Sequence, residues 1–235
     1  MRCKIETKTK VLYALGGNMY NTVIFDLDGT LLNTIDDLAD SVNYMQRKFG
    51  IKEDSVDTVR QHVGNGLRLL VVRSVPQGEE NPQFEEMFKC QKEYYQKHCQ
   101  IKTSAYPGIM ELLKKLHEKG IKMAIVSNKA HAAVEELNRI YFKDYISVAI
   151  GENEEAGIKK KPAPDSVNHA IELLGAKKSE AVYVGDSEVD RQTAINSELA
   201  CVSCSWGFRE RSLLESLKPM AIIDKPEQLL DILNV

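Results

Sequence analysis

The segment Val23-Ile24-Phe25-Asp26-Leu27-Asp28-Gly29-Thr30-Leu31 places two carboxylates, two positions apart, at the end of an apolar run. Side chains at i and i+2 share a face on a regular strand. A turn begun at Gly29 lets the backbone diverge, so that Asp28 can aim differently from Asp26. Carboxylates this close repel unless a cation lies between them, which points to a hard divalent ion such as magnesium. Taken alone, Asp-x-Asp-Gly is also an ordinary turn after a buried strand. Three further segments carry similar chemistry. Ser127-Asn128 closes another apolar run with small polar donors suited to an anionic oxygen, and is equally suited to cap the next helix. Gly185-Asp186-Ser187-Glu188-Val189-Asp190 brings a second pair of carboxylates, or a capped turn with Asp186 as the cap. In Lys159-Lys160-Lys161-Pro162-Ala163-Pro164, a lysine run of the kind usually solvated is followed by two prolines that fix the backbone and start a helix.

These groups need elements to position them. Short continuous apolar runs at 22–25, 121–126, 146–150, 181–184, 200–202 and 221–223 read as strands buried on both faces. Helical spacing fills 109–118, 130–140, 164–174 and 187–195, with Gly120 and Gly175 just past two of them. Strand and helix in alternation predict an α/β fold: a Rossmann-like parallel sheet core with helices on both faces. Ligands of such sheets bind at the carboxyl ends of the strands, where the carboxylates above fall. From Asn33 to about Ala105 the alternation stops and helical segments follow one another, among them Ile35, Leu38, Val42 and Met45 at helical spacing. The chain therefore divides into an α/β catalytic core at 19–33 and 106–235, an inserted α-helical cap subdomain at 34–105, and an extension at 1–18 ahead of Met19.

In order, the aspartate pair, Ser-Asn, Lys-Pro-x-Pro and Gly-Asp-x-x-x-Asp resemble the four motifs of the haloacid dehalogenase superfamily, over the span from about Thr22 to Asp224. The helical block falls between the first and second motifs, as in members with a helical cap. The resemblance implies a set of roles. Asp26 is the nucleophile that becomes an aspartyl-phosphate, and Asp28 is the general acid and then the base. Ser127 and the Asn128 backbone bind the phosphoryl group, and Lys161 pairs with Asp26 and the phosphate. Asp26, the Asp28 main-chain carbonyl and Asp186 hold Mg2+, with Asp190 in support. Dehalogenating members lack an aspartate at the place of Asp28, so phosphoryl chemistry is implied.

The segment from Val59 to Leu67, with Arg60 and Gly64-Asn65-Gly66, resembles the cap segment of phosphoglycolate phosphatases, which implies Arg60 as a substrate-binding residue. Ser205-Trp206-Gly207-Phe208 looks like the same subfamily and related bacterial pyrophosphatases. The chain departs from the family at Asn33, where many relatives carry aspartate, and at Ser197-Glu198, where Ala-Gly is common. The implied activity is a magnesium-dependent phosphatase of a small phosphomonoester, 2-phosphoglycolate first. Inorganic pyrophosphate, sugar-phosphate mutation and a non-enzymatic phosphate-sensing module are the alternatives.

Composition agrees with such a protein. Lysine plus arginine total 31 against 34 acidic residues, so nothing in the net charge of -3 calls for a nucleic-acid or membrane-surface partner. No apolar run approaches the roughly 18 residues needed to span a bilayer. Five scattered cysteines do not form a secreted disulfide framework, and the expectation is a cytoplasmic monomer or homodimer acting on a small phosphorylated metabolite. Cys201 and Cys204 are the one redox-like pair; at i and i+3 on a strand they point to opposite faces, as packing thiols do. The five histidines show no ligand spacing.

Overall fold

The apolar run after Asn21 becomes the middle strand of a six-stranded parallel sheet in this computed structural model, which describes residues 20–153 and 157–235. The expected extension at 1–18 lies outside the described residues. The elements are β1 (Thr22–Phe25), β2 (Leu32–Asn33), α1 (Ile35–Lys48), α2 (Val56–His62), α3 (Leu67–Ser74), α4 (Phe84–His98), β3 (Ser104–Ala105), α5 (Ile109–Glu118) and β4 (Lys122–Ala130). They continue as α6 (His131–Tyr141), β5 (Val148–Glu152), α7 (Asp165–Leu173), β6 (Ala181–Gly185), α8 (Glu188–Asn196), β7 (Ala200–Cys204), α9 (Arg211–Ser216), β8 (Ala221–Ile223) and α10 (Gln228–Leu233).

The strand order β5-β4-β1-β6-β7-β8 sets β1 between β4 and β6, with Phe25 level with Ile125 on one side and Val184 on the other. The chain runs from β1 to β4 and β5 on one side and then crosses to β6, β7 and β8 on the other, so the point where strand order reverses lies at the end of β1, above Asp26. Both faces of the sheet are covered. Val23 and Phe25 pack with the apolar stripe of α5, Leu112, Leu113 and Leu116; Ile24, between them, packs on the other face with Val167 and Ala170 of α7. Cys201 and Cys204 divide in the same way between these two clusters, and both are buried free thiols. Burial pushes the Cys201 thiol up to about 12, out of the range where a thiolate reacts.

Helices α1 to α4 lie between β2 and β3 and bury two clusters: Ile35, Leu38, Val42 and Leu70 together with Phe208 from beyond β7, and Met45, Val71 and Phe84. Asp36 and Asp37 in the first turn of α1 and Arg47 and Lys48 in its last turn match the helix dipole. No strand was expected between 34 and 105, yet the two crossings pair as a short antiparallel ladder, Leu32 with Ala105 and Asn33 with Ser104. Asp37 is buried and accepts from Lys102 N–H at 3.0 Å, Thr103 N–H at 2.9 Å and Thr103 Oγ1 at 2.8 Å, tying the return crossing to α1.

Glu198 shows why glycine is common at its position: its φ is 64°, the left-handed region. A β-carbon there costs about 1 kcal/mol or more. Its ion pair with Lys178 is made by a largely exposed carboxylate and adds little. Glu198→Gly is therefore expected to stabilise by about 1 kcal/mol, raising Tm by roughly 2–4 °C for a chain of this size. A thermal melt that stays level or falls would show that the strain is relieved elsewhere.

Candidate active site

Strand ends from the core and one side of the insert enclose a cavity of about 60 Å³. Asp26 continues the ladder of β1, giving its N–H to Val184 O at 2.9 Å, so its carboxylate leaves the middle of the sheet edge. The chain then turns: Leu27 O accepts from Leu31 and Leu32 at 3.0 and 2.9 Å. Gly29 makes this possible, with φ of 93° and no room for a β-carbon, which would sit 2.5 Å from Asp186 Oδ2. Beyond the turn Asp28 does diverge from Asp26, and its oxygens meet the Lys129 ammonium at 3.1 and 3.2 Å.

The carboxylates that converge are Asp26, Asp186 and Asp190, one oxygen from each lying within 4.8 Å of the others. Lys161 faces them. Its neighbours Lys159 and Lys160 are exposed, while its own ammonium is buried 2.5 Å from Asp26 Oδ1, 2.8 Å from Asp190 Oδ1 and 3.1 Å from Tyr183 OH. Asn128 sets that reach by clamping the Lys161 backbone, accepting its N–H at 2.7 Å and donating to its carbonyl at 3.1 Å.

Strand β4 does not end at Val126, as the apolar run suggested; it runs to Ala130. Its register against β5 shifts between Val126 and Ala130, and Ser127, Asn128 and Lys129 are all buried and line the cavity. Helix α6 starts without a side-chain cap, so Ser127 and Asn128 are not spent on it. At α8 the cap is Ser187, not Asp186, in a capping box with Asp190. Asp186 is thereby left to face the cavity.

The charges of the three acids differ for physical reasons. Burial drives the Asp26 carboxyl well above the ordinary range, with Lys161 opposing and Asp190 and Asp186 reinforcing it. Burial and then Asp190 push Asp186 up to about 7, against the Phe208 N–H at 2.6 Å and the Arg209 charge. Burial would raise Asp190 as well, yet Lys161, Ser187 and Tyr183 hold it below the ordinary range. Both Asp190 oxygens are occupied: Oδ1 by Lys161 and Tyr183, Oδ2 by the Asp186 N–H, the Ser187 N–H and the Ser187 hydroxyl. Asp26 and Asp186 are thus the pair whose ionised forms are only partly compensated. They fit a hard divalent cation, while Asp190 fits the role of holding Lys161 and the loop.

Arg60, which the family resemblance implies as a substrate-binding residue, does not line this cavity. Its guanidinium turns back along α2 to Asp57, one turn earlier, where an i,i+3 pair is the shortest route to a carboxylate. Gly64 and Gly66 of the same segment do line the cavity. The arginine that reaches it is Arg209, which pairs with Glu188 at 2.8 Å and donates to the carbonyls of Arg60 and Val63 at 3.0 and 2.7 Å. Lys129 and Arg209 had no sequence signal strong enough to single them out, although Lys129 directly follows Ser127-Asn128.

The comparisons agree with the geometry. A sequence profile of haloacid dehalogenase-like hydrolases matches residues 23–204. A phosphoglycolate phosphatase of Psychrobacter arcticus is 33% identical, covering 90% of this chain and 94% of its own. One of Pseudomonas fluorescens is 31% identical, covering 91% and 80%. A solved structure from Lactobacillus delbrueckii subsp. bulgaricus, named provisionally as a phosphoglycolate phosphatase, superposes with a TM-score of 0.86 at 34% identity, over 92% of this chain and 98% of that one.

Proposed function

The chain belongs to the haloacid dehalogenase-like hydrolases and is a phosphoric monoester hydrolase, and from that premise we propose that its substrate is 2-phosphoglycolate, hydrolysed through an aspartyl-phosphate on Asp26. The observation that carries the chemistry is Lys161, whose buried ammonium touches Asp26 at 2.5 Å. It orients one carboxylate oxygen and offers positive charge where phosphoryl charge gathers. An Asp26 oxygen attacks phosphorus, the ester P–O bond breaks, and the departing oxygen takes a proton from Asp28. Water then attacks the phosphoryl-enzyme and gives its proton back to Asp28, freeing phosphate and Asp26. Ser127 and the Asn128 backbone bind the phosphoryl oxygens. Asp26, Asp186 and the Asp28 main-chain carbonyl would hold Mg2+, which when bound neutralises charge on the transferring group. Asp190 keeps Lys161 in register.

The helical insert, residues 34–105, acts in this reading as a cap that closes the cavity from above. The small cavity and its cover by Leu38, Leu67 and Leu70 favour a substrate with a short leaving group. Among phosphoglycolate, pyrophosphate and sugar phosphates at fixed magnesium, phosphoglycolate is expected to give the highest kcat/KM. Pyrophosphate in first place would make the enzyme a pyrophosphatase, and glucose 1-phosphate with phosphoryl return to sugar would make it a mutase. Among the described residues no helix is long and apolar enough to cross a membrane.

A further inference from the structure

The cavity has two buried ammonium groups, and the reaction above uses one. Lys161 belongs to the phosphoryl end, with Asp26 and Asp190. Lys129 is just as deeply buried, its side chain only 5% exposed, and it lines the same cavity beside Asp28. Its ammonium meets both oxygens of Asp28 and, at 2.6 Å, the hydroxyl of Tyr95 on α4 of the insert, and lies 4.8 Å from the centre of the Tyr95 ring. The shift in β4 register puts it there: a regular strand would turn Lys129 away from at least one of Ser127 and Asn128, yet all three face inward.

A buried cation needs a compensating anion. Asp28 is its only carboxylate partner among the described residues, and Asp28 is also the group that must reach the departing oxygen. Whatever leaves with that oxygen is delivered beside Lys129. In glycolate the carboxylate stands one carbon from the departing oxygen, within the reach of an ammonium bonded to the same acid. Arg60, by contrast, is engaged with Asp57 outside the cavity.

We propose that Lys129 is the specificity-determining residue for an anionic leaving group: its ammonium receives the carboxylate of the departing alcohol, and Tyr95 is the positioning residue that holds it there from the insert. The assignment rests on the phosphoglycolate reading above. It also gives the insert a direct part in substrate choice, because the positioning hydroxyl comes from α4.

The test compares phosphoglycolate with ethyl phosphate, which has the same two-carbon size and no charge on the leaving group. The wild type is expected to prefer phosphoglycolate. Lys129→Met should lower kcat/KM for phosphoglycolate by roughly tenfold to a hundredfold more than for ethyl phosphate, the range of one hydrogen bond to a charged group. Tyr95→Phe, which keeps the ring and removes the hydroxyl, should move the same ratio in the same direction by raising KM for phosphoglycolate with little change in kcat. A merely structural lysine would depress both substrates equally, and that result overturns the assignment. A wild-type preference that survives intact in Lys129→Met overturns it while leaving the phosphoglycolate reading in place; a wild type with no preference overturns both. If Lys129→Met does not fold by circular dichroism, Lys129→Gln, which keeps a polar end beside Asp28, decides by the same ratio.

Discussion

Asp26→Asn is expected to reduce hydrolysis of any phosphomonoester to background, a loss of roughly 10⁴-fold or more, while the protein stays folded. In the proposed mechanism, removal of the nucleophile eliminates the covalent step, which binding and acid catalysis cannot replace. The fold should tolerate the change because the buried Asp26 carboxyl already resists ionisation beside Asp186 and Asp190. A neutral amide of the same shape relieves that repulsion, and Lys161 keeps Asp190 as its partner. Two measurements check this: turnover of an aryl phosphate, and a thermal melt against wild type. Mass spectrometry of acid-quenched wild type during turnover should also find one phosphoryl group on the peptide with Asp26, absent in the variant. Near-native turnover in Asp26→Asn would remove the proposed mechanism.

Thorough chelation is expected to have the next largest effect, bringing activity to background, with recovery on adding magnesium. The reason lies in the mismatch between Asp26 and Asp186, both pushed upward by burial, and the single ammonium of Lys161, which Asp190 already shares. A divalent ion supplies the missing charge, so it should also raise Tm of the chelated protein by the linkage of binding to folding. Asp186→Asn should abolish both the activity and the magnesium-dependent rise in Tm. Full activity after chelation, or a rise in Tm unaltered in Asp186→Asn, would mean that no functional cation is held between these acids.

Much of this was legible in the amino-acid order, and what was hidden was hidden for definable reasons. The strands showed as apolar runs because a parallel sheet covered on both faces leaves no polar alternation; Ile24, Tyr183 and Val202 are all fully buried. Asp26, Ser127, Lys161 and Asp186, which meet in one cavity, showed because each stands at a strand end or in an adjoining loop. The extent of β4 did not show, since its last turn-facing residues, Ser127, Asn128 and Lys129, are polar and nothing local separates polar-inward from solvated. Lys161 was found only through its prolines; by type it is one of three adjacent lysines, of which it alone is buried. The direction Arg60 takes did not show, because the reach of a long side chain follows its nearest carboxylate, here Asp57. Arg209 is the opposite case: its partners are Glu188 and two carbonyls about 146 and 149 residues away, contacts that no spacing rule can anticipate.

The short ladder of Leu32–Asn33 with Ser104–Ala105 has an architectural consequence. A chain that departs and returns at hydrogen-bonded neighbours presents the core with a gap no wider than a hairpin, whatever lies between. The chain is therefore joined to the core at those two touching strands, and the cost of carrying a longer or shorter insertion grows slowly with its length. The insert is in effect a plug-in module on a two-pin socket. Exchanging it for another of different length or helix number would keep the sheet and its acids in place, but would have to replace the partners that the insert gives Lys129 and Arg209. In that arrangement new substrate ranges can arise by recombination at two adjacent points, with no rebuilding of the sheet that holds the acids.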